Sequence, residues 1–185
     1  MNKERAVTLV EFIVAVAIFA LVATGLLLTL NYTRGSMELV KIATSLEEEM
    51  QNALYTMASE LRQTRNSKIA VGPVNADGVW YDTIRFSIPW DINGDGNVVS
   101  ATGELEWSDQ GTSNWTVTYA LSGFQLLRTS GDGRNPVLAS HITAVSFRRQ
   151  AGTPGLVDIT LTGQMTTYLN RTIQISLTNS VEMRN

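Results

Sequence analysis

The chain has 185 residues, of which 44% are hydrophobic, and its formal net charge is −3. This length can hold one ordinary domain together with an anchoring segment. The acidic balance argues against nucleic-acid binding, which normally needs a basic face. The absence of cysteine excludes disulfides, thiol catalysis and cysteine-based metal sites, and the single histidine, His141, excludes any site that needs two imidazoles.

A long apolar run follows a short basic head. Within residues 7–30 the only charged side chain is that of Glu11, whereas Lys3 and Arg5 precede the run and Arg34 follows it. A helix of about 24 residues spans about 36 Å, more than the roughly 30 Å of a bilayer core. The run therefore predicts a transmembrane helix. The positive charges before it favour an N-terminus in the cytoplasm, with the rest of the chain exported.

Glu11 argues against two simpler interpretations of this run. A cleaved secretory signal peptide has an apolar core of about 7–15 residues and ends in an A-x-A-like site, which this run lacks. A plain single-pass anchor leaves the acid without a purpose, because a charged side chain at mid-bilayer costs on the order of 2.5–3.5 kcal/mol. Acids within membrane segments usually have a partner, and Glu11 is therefore a candidate functional residue.

The residues before Glu11 resemble the processing site of type IV prepilins and type II secretion pseudopilins. In that family a short basic leader ends in a small residue, cleavage follows on the cytoplasmic side, and the fifth mature residue is glutamate. The stretch RAVTLVEF matches this pattern: Ala6 is the small residue, Val7 becomes the methylated N-terminus, and Glu11 is the fifth residue. Most members have Gly before the cut and Phe or Met after it, and Ala6 and Val7 depart from that usage.

The resemblance implies a structural subunit and not an enzyme. Residues 1–6 would be the leader peptide, and the implied partners are a prepilin peptidase, an inner-membrane assembly platform, membrane lipid and other pilin or pseudopilin subunits. After export the chain would stand in an extracytoplasmic filament. There the carboxylate of Glu11 would face the freed α-amine of a neighbouring subunit, and pairing would remove the cost of burying both charges.

Residues 31–72 predict an amphipathic continuation of the same helix. Apolar residues recur there at three- and four-residue steps, which is the pattern of one buried helix face. These residues are Leu46, Met50, Ala53, Leu54, Met57 and Leu61. We expect this stripe to pack on the chain's own domain, and we expect the acidic run at residues 47–49 to be solvated. Gly72 and Pro73 mark the predicted end of the segment.

Residues 73–185 change to a period of two and predict an exported β-rich domain. Alternating apolar residues predict strands around positions 84–88, 115–121, 157–161 and 173–177, among about seven in all. Ser122 and Gly123 predict a hairpin turn. The prediction is an α+β fold, with the long N-terminal helix packed on a C-terminal antiparallel β-sheet domain. The stretches PVLASHITAVSFRR and GLVDITLTG are similar to minor pilins and J-type pseudopilins, which implies a minor, capping subunit.

The loop PWDINGDGNVVSATGELEW contains the opening half of an EF-hand-type calcium loop, with oxygen-bearing residues at alternate positions and Gly96 at the turn. The candidate ligands are Asp91, Asn93, Asp95, Asn97 and Glu104. Thr102 stands where the loop expects its bidentate glutamate, and Glu104 comes two residues later. Two interpretations stay open: a Ca²⁺ site, or a bare polar turn, for which Asn-Gly and Asp-Gly are strong signals.

Three functions remain to be compared. The first is a minor pilin or pseudopilin that assembles through its N-terminal helix into a type IV pilus or type II secretion-type filament, as a tip or priming component. The alternative is a single-pass membrane-tethered exported binding module, in which Glu11 is incidental. The third is a tethered hydrolase with Glu104 and Glu106 as its carboxylate pair, which nothing in the composition favours. Apart from Ca²⁺, no cofactor is predicted.

Overall fold

The computed structural model describes residues 9–110, 116–131, 133–167 and 170–184. One helix precedes eight strands in this part of the chain. Helix α1 runs from Leu9 to Leu61. The strands are β1 (Ile69–Val71), β2 (Ile84–Phe86), β3 (Val117–Ser122), β4 (Gln125–Thr129), β5 (Val137–Ser140), β6 (Ile142–Arg149), β7 (Leu156–Thr166) and β8 (Thr172–Glu182). The α+β prediction is confirmed.

The chain divides into two compact units, residues 1–41 and 42–185, and the boundary lies within α1. In the second unit the predicted apolar stripe is buried, with Leu46, Met50 and Met57 at 0% exposure. The same core contains apolar side chains from both β-sheets, for example Phe86 and Ile159. The expectation that the stripe packs on the chain's own domain is therefore confirmed.

Helix α1 ends eleven residues earlier than the predicted boundary at residue 72. The Thr64 hydroxyl donates a hydrogen bond to the carbonyl of Ser87 (2.6 Å), and the Arg184 amide donates one to the carbonyl of Thr64 (3.1 Å). These bonds redirect the backbone into a 3-10 turn at residues 66–68 and then into β1, which pairs with β2. The prediction was wrong here because the β-part begins at Ile69 and not at residue 73.

Two antiparallel sheets form the rest of the second unit. Strands β1 to β5 make a five-stranded sheet in chain order, and β6 to β8 make a three-stranded sheet. The predicted hairpin joins β3 to β4, but its two loop residues are Gly123 and Phe124, because Ser122 pairs with Gln125. Gly123 has a φ of 60°, a conformation that suits glycine at the first position of a tight hairpin turn.

Strand β7 lies directly under α1, and one glycine allows this close approach. A Cβ atom placed on Gly163 would come within 2.8 Å of the Met50 sulfur and 3.0 Å of a Leu46 methyl group. Both distances are shorter than an ordinary van der Waals contact. The buried stripe of α1 and the absence of a side chain at Gly163 therefore fix the separation of helix and sheet together.

A buried carboxylate connects the three strands of the second sheet. Asp158 on β7 is 3% exposed. It accepts hydrogen bonds from the Ser180 hydroxyl on β8 (2.6 Å), from the Arg148 guanidinium on β6 (2.7 Å) and from the Gln150 amide (2.9 Å). Burial acts to raise the pKa of Asp158, but the three donors outweigh it and hold the pKa below its ordinary value.

Asp158→Asn is expected to lower the free energy of unfolding by about 2–3 kcal/mol near neutral pH, because the amide cannot accept from all three donors. A pKa lower in the folded than in the unfolded state stabilises the fold above about pH 4, and this contribution is lost as the pH falls through the folded pKa. Denaturant unfolding of the full chain in a neutral detergent should therefore show the difference from wild type shrinking below about pH 4.

Exposed Asp82 supplies the matched control, since Asp82→Asn removes the same charge without a buried network. Its effect on the free energy of unfolding should stay within about 0.5 kcal/mol at every pH. A difference between Asp158→Asn and wild type that stays constant under acid would contradict this account of Asp158.

Candidate functional site

The first part of α1 carries apolar side chains on every side. Leu9, Phe19 and Leu21 are 77%, 74% and 75% exposed, respectively. The helix contains an 18-residue window that is long and apolar enough to cross a membrane, and none of that window is buried within the chain. Exposing such a surface to water is unfavourable, because each square ångström of exposed apolar area costs about 25 cal/mol. The segment is therefore suited to lipid or to the helices of other subunits.

The hydroxyl groups of this segment are satisfied by the helix itself. Thr24 donates to the carbonyl of Ala20 (2.8 Å), Thr29 to that of Gly25 (2.9 Å) and Thr33 to that of Thr29 (2.9 Å). A polar group without a hydrogen bond is costly in hydrocarbon, and bonding to the carbonyl four residues earlier removes that cost. The threonines are therefore compatible with a membrane-spanning helix.

Glu11 lies in the first turn of α1 and is exposed. The free amide groups of a helix N-terminus favour a negative charge there. The carboxylate thus lies near the N-terminal end of the apolar segment. Ala6 and Val7, the predicted cleavage and methylation residues, are outside the part of the chain that the structure describes.

A buried polar network joins the last turn of α1 to the first sheet, and the sequence analysis did not identify it. Glu60 accepts hydrogen bonds from the Tyr119 hydroxyl (2.5 Å) and from the Arg128 guanidinium (2.9 Å). Arg128 also donates to the Ser130 hydroxyl (2.6 Å). Burial, together with the negative charge of Glu60, raises the pKa of Tyr119 far above its ordinary value, so the phenol remains a donor. The network fixes α1 to strands β3 and β4.

The acidic run on α1 is only partly solvated. Glu47 and Glu48 are exposed, as predicted. Glu49 instead accepts a hydrogen bond from the backbone amide of Ser140 (2.6 Å), at the end of β5. The prediction of a solvated run was therefore wrong for Glu49. Nothing in the local sequence distinguishes this glutamate from its neighbours, because its partner lies 91 residues later.

The predicted calcium loop folds around its own side-chain oxygens. Asp91 accepts hydrogen bonds from the amides of Gly94 (2.7 Å) and Gly96 (2.8 Å). The side-chain oxygen of Asn93 accepts from the amide of Asp95 (2.9 Å), and the carboxylate of Asp95 accepts from the amide of Asn97 (2.7 Å). These contacts define a tight turn and leave further lone pairs on each carboxylate.

Glu106, and not Glu104, closes this loop. Its carboxylate accepts from the Ile92 amide (2.9 Å) and from the Asn93 side-chain amide (3.0 Å), and the residue is 8% exposed. Glu104 is exposed and lines a different cavity together with Arg65. Within the described ranges, no group of three or more Asp, Glu or His side chains is placed to hold a metal ion. Calcium binding here stays a prediction.

The same placement corrects the hydrolase hypothesis. A hydrolase with this carboxylate pair needs both Glu104 and Glu106 accessible to a substrate, yet only Glu104 is exposed. Both oxygens of Glu106 accept hydrogen bonds from the loop. A carboxylate whose two oxygens both accept hydrogen bonds within its own loop suits a structural role better than that of a general acid.

Comparison with known families identifies the N-terminal segment. Residues 1–27 match the family model described as the prokaryotic N-terminal methylation motif, which is the signature of type IV prepilins and pseudopilins. A search of curated proteins and a search of solved structures found no match. The motif and the exposed apolar helix together fit a single-pass membrane protein. Residues 1–27 of this chain therefore carry the type IV prepilin and pseudopilin signature.

Proposed function

We propose that this chain is a minor subunit of a type IV pilus or a type II secretion-type filament, and that it acts at the tip or in priming assembly. The observation that carries the proposal is the methylation motif at residues 1–27, followed by an apolar helix whose side chains are exposed on all sides. Such a helix needs either lipid or neighbouring helices around it. A filament core supplies those neighbours after the subunit leaves the bilayer.

Processing would prepare the subunit for this transfer. A prepilin peptidase would cleave after Ala6 on the cytoplasmic side, and Val7 would become the methylated N-terminus. The inner-membrane assembly platform would then bring the subunit against others. In the filament, the carboxylate of Glu11 would lie opposite the α-amine of a neighbouring subunit. The attraction between the two charges is strong in an apolar core and therefore favours one axial register.

The size of the second unit supports a minor subunit. Residues 42–185 contain two sheets and the C-terminal part of α1. The loops between β2 and β3 add the tightly folded turn at residues 91–97. A large and elaborate exported domain suits one end of a filament, where it has fewer neighbours than a subunit within the shaft.

The proposal is tested by counting copies in sheared filaments. Quantitative mass spectrometry should find the chain in the filament fraction at a small fraction of the amount of the main subunit. Gold labelling should place it at filament ends. Copies along the whole shaft at high occupancy would contradict the tip role, and absence from filaments with retention in the membrane would favour the tethered binding module.

Calcium binding at the loop of residues 91–97 is a second proposal. Asp91, Asn93 and Asp95 would supply ligands together with the carbonyl of Asn97, and Glu106 would close the site in place of Glu104. Saturating Ca²⁺, at about 100 times its dissociation constant, should stabilise the fold by about 2.7 kcal/mol. Thermal unfolding should then shift upward by about 5–10 °C, and Asp95→Asn should abolish the shift. An unchanged melting temperature after chelation would contradict the proposal.

A further inference from the structure

A basic cavity lies beside the end of α1 and is lined in part by the segment that follows the turn at residues 91–97. Its volume is about 530 Å³, and its lining includes Arg65, Lys68, Trp107, Arg184 and Glu104. Three cations and one acid thus face one cavity in a chain whose net charge is −3. The cavity is therefore positively charged, although the chain as a whole is acidic.

The two arginines are placed against each other by the backbone. Arg65 and Arg184 form an isolated parallel bridge, supported by the hydrogen bond from the Arg184 amide to the Thr64 carbonyl. Directly paired like charges repel, and a sheet normally places opposite charges at such positions. In the part of the chain that the structure describes, neither guanidinium lies within ion-pair distance of a carboxylate. An anion between them would remove the repulsion.

One hydrogen-bond donor of the two arginines is already shielded from water. The Nε atom of Arg65 is buried and has no hydrogen-bond partner among the described residues. A buried donor of this kind is unfavourable until an acceptor reaches it. Lys68 differs, because its ammonium is paired with Asp109 (3.1 Å). The uncompensated positive charge of the cavity therefore belongs to the arginines.

The Trp107 ring packs against two of the cations, Arg65 and Lys68. It is 4% exposed, and its ring centre lies 5.6 Å from the Arg65 guanidinium carbon and 5.3 Å from the Lys68 nitrogen. Stacking on an aromatic face holds a guanidinium in place and leaves its edge free to donate. The site is therefore preorganised by a buried side chain.

We propose that this cavity binds an oxyanion, held between Arg65 and Arg184. Guanidinium groups match the two oxygens of a carboxylate or a phosphate with parallel hydrogen bonds. Two sources share this chemistry: an acidic side chain of another subunit, and a free phosphate. A second copy of this chain beside the first at the filament tip would supply the acidic side chain from its exposed pair Glu47 and Glu48 on α1. Only that source depends on the proposed filament function. Glu104 at the rim is the internal competitor.

The first arm of the experiment uses inorganic phosphate and the full chain, unassembled in a neutral detergent, with titration calorimetry. We expect a dissociation constant of about 1 mM or lower. The double variant Arg65→Gln/Arg184→Gln should weaken binding at least about tenfold, and Arg65→Lys should have a smaller effect because it keeps the charge but loses the fork. Arg85→Gln removes an exposed arginine elsewhere and should change nothing.

Glu104→Gln is expected to change the phosphate affinity in the opposite direction, and it controls for variants that lose binding because they misfold. Loss of the competing carboxylate should tighten phosphate binding several-fold, which no unfolded protein would do. Absence of phosphate binding at about 20 mM, or binding that the double variant leaves unchanged, would overturn the proposal. Because the protein is unassembled, neither result depends on filament formation.

The second arm identifies the source of the oxyanion with a peptide of residues 44–52, TSLEEEMQN. Binding that phosphate displaces, and that a peptide with glutamine in place of the three glutamates does not show, supports an acidic segment of a second copy. Phosphate binding without peptide binding supports a free oxyanion as the ligand of the same site.

Discussion

Glu11→Gln is expected to remove the chain from filaments while leaving it in the membrane. Glutamine has nearly the shape of glutamate but cannot form an ion pair with a neighbour's α-amine. The cost of a charged group in the bilayer, about 2.5–3.5 kcal/mol, sets the scale of what pairing can contribute to assembly. Since each 1.4 kcal/mol is a factor of ten, incorporation into sheared filaments should fall by roughly 100-fold.

Two measurements isolate assembly from insertion in this experiment. Carbonate extraction should recover Glu11→Gln in the membrane fraction as fully as wild type, because the variant helix is more apolar. Asp82→Asn removes an exposed carboxylate from the second unit and should incorporate normally. Glu11→Asp keeps the charge on a shorter side chain and should recover part of the incorporation. Normal incorporation of Glu11→Gln would leave the apolar helix as a tether only.

Glu60→Ala is expected to destabilise the fold strongly, because it removes the carboxylate that joins α1 to the first sheet. The change removes the acceptor of both Tyr119 and Arg128, and the Arg128 side chain is only 9% exposed. Removing one partner of a largely buried ion pair costs about 2–4 kcal/mol, because the remaining phenol and guanidinium lose a shared acceptor. For a domain of this size, the melting temperature should fall by about 6–12 °C.

A double-mutant cycle separates the ion pair from simple loss of packing. Glu60→Leu and Arg128→Leu should each destabilise the fold, whereas the double variant should be more stable than the sum of the two predicts. Exposed Glu48→Gln serves as the control and should stay within about 0.5 kcal/mol of wild type. Additive effects of the two leucine substitutions would show that Glu60 and Arg128 do not act as a pair.

The sequence predicted the elements that follow from periodicity. The stripe from Leu46 to Leu61 has the three- and four-residue spacing of a buried helix face, and it is buried. Strands β3 and β8 alternate as predicted, and in β7 the predicted apolar residues Val157, Ile159 and Leu161 are buried, although Asp158 between them is buried as well. These features depend on residues close together in sequence. The identity of the packing partner matters little for such an element, because any apolar surface of suitable shape can cover its buried face.

The contacts that the sequence did not predict join residues far apart. Glu60 and Arg128 are 68 residues apart, and Glu49 bonds to a residue 91 positions later. A glutamate on a helix looks the same in sequence whether water or a buried arginine faces it. The turn at residues 91–97 shows the same limit, because whether Glu104 or Glu106 bonds to it depends on how the chain turns after residue 97.

The helix end was misplaced for a related reason. Polar residues and Pro73 marked a stop, but no local signal shows that Thr64 bonds to Ser87 and to the C-terminal Arg184. Those distant bonds end α1 and bring the two arginines of the basic cavity together. Tertiary structure thus creates a charge cluster that the sequence displays only as separate residues.

The mass and the first residue of the protein purified from its native membrane test the central claim most directly. A chain that begins with N-methylated Val7 and lacks residues 1–6 is the predicted result, because a free α-amine at that position is what Glu11 is proposed to meet. A protein that keeps residues 1–6 in assembled, functional form would contradict the account.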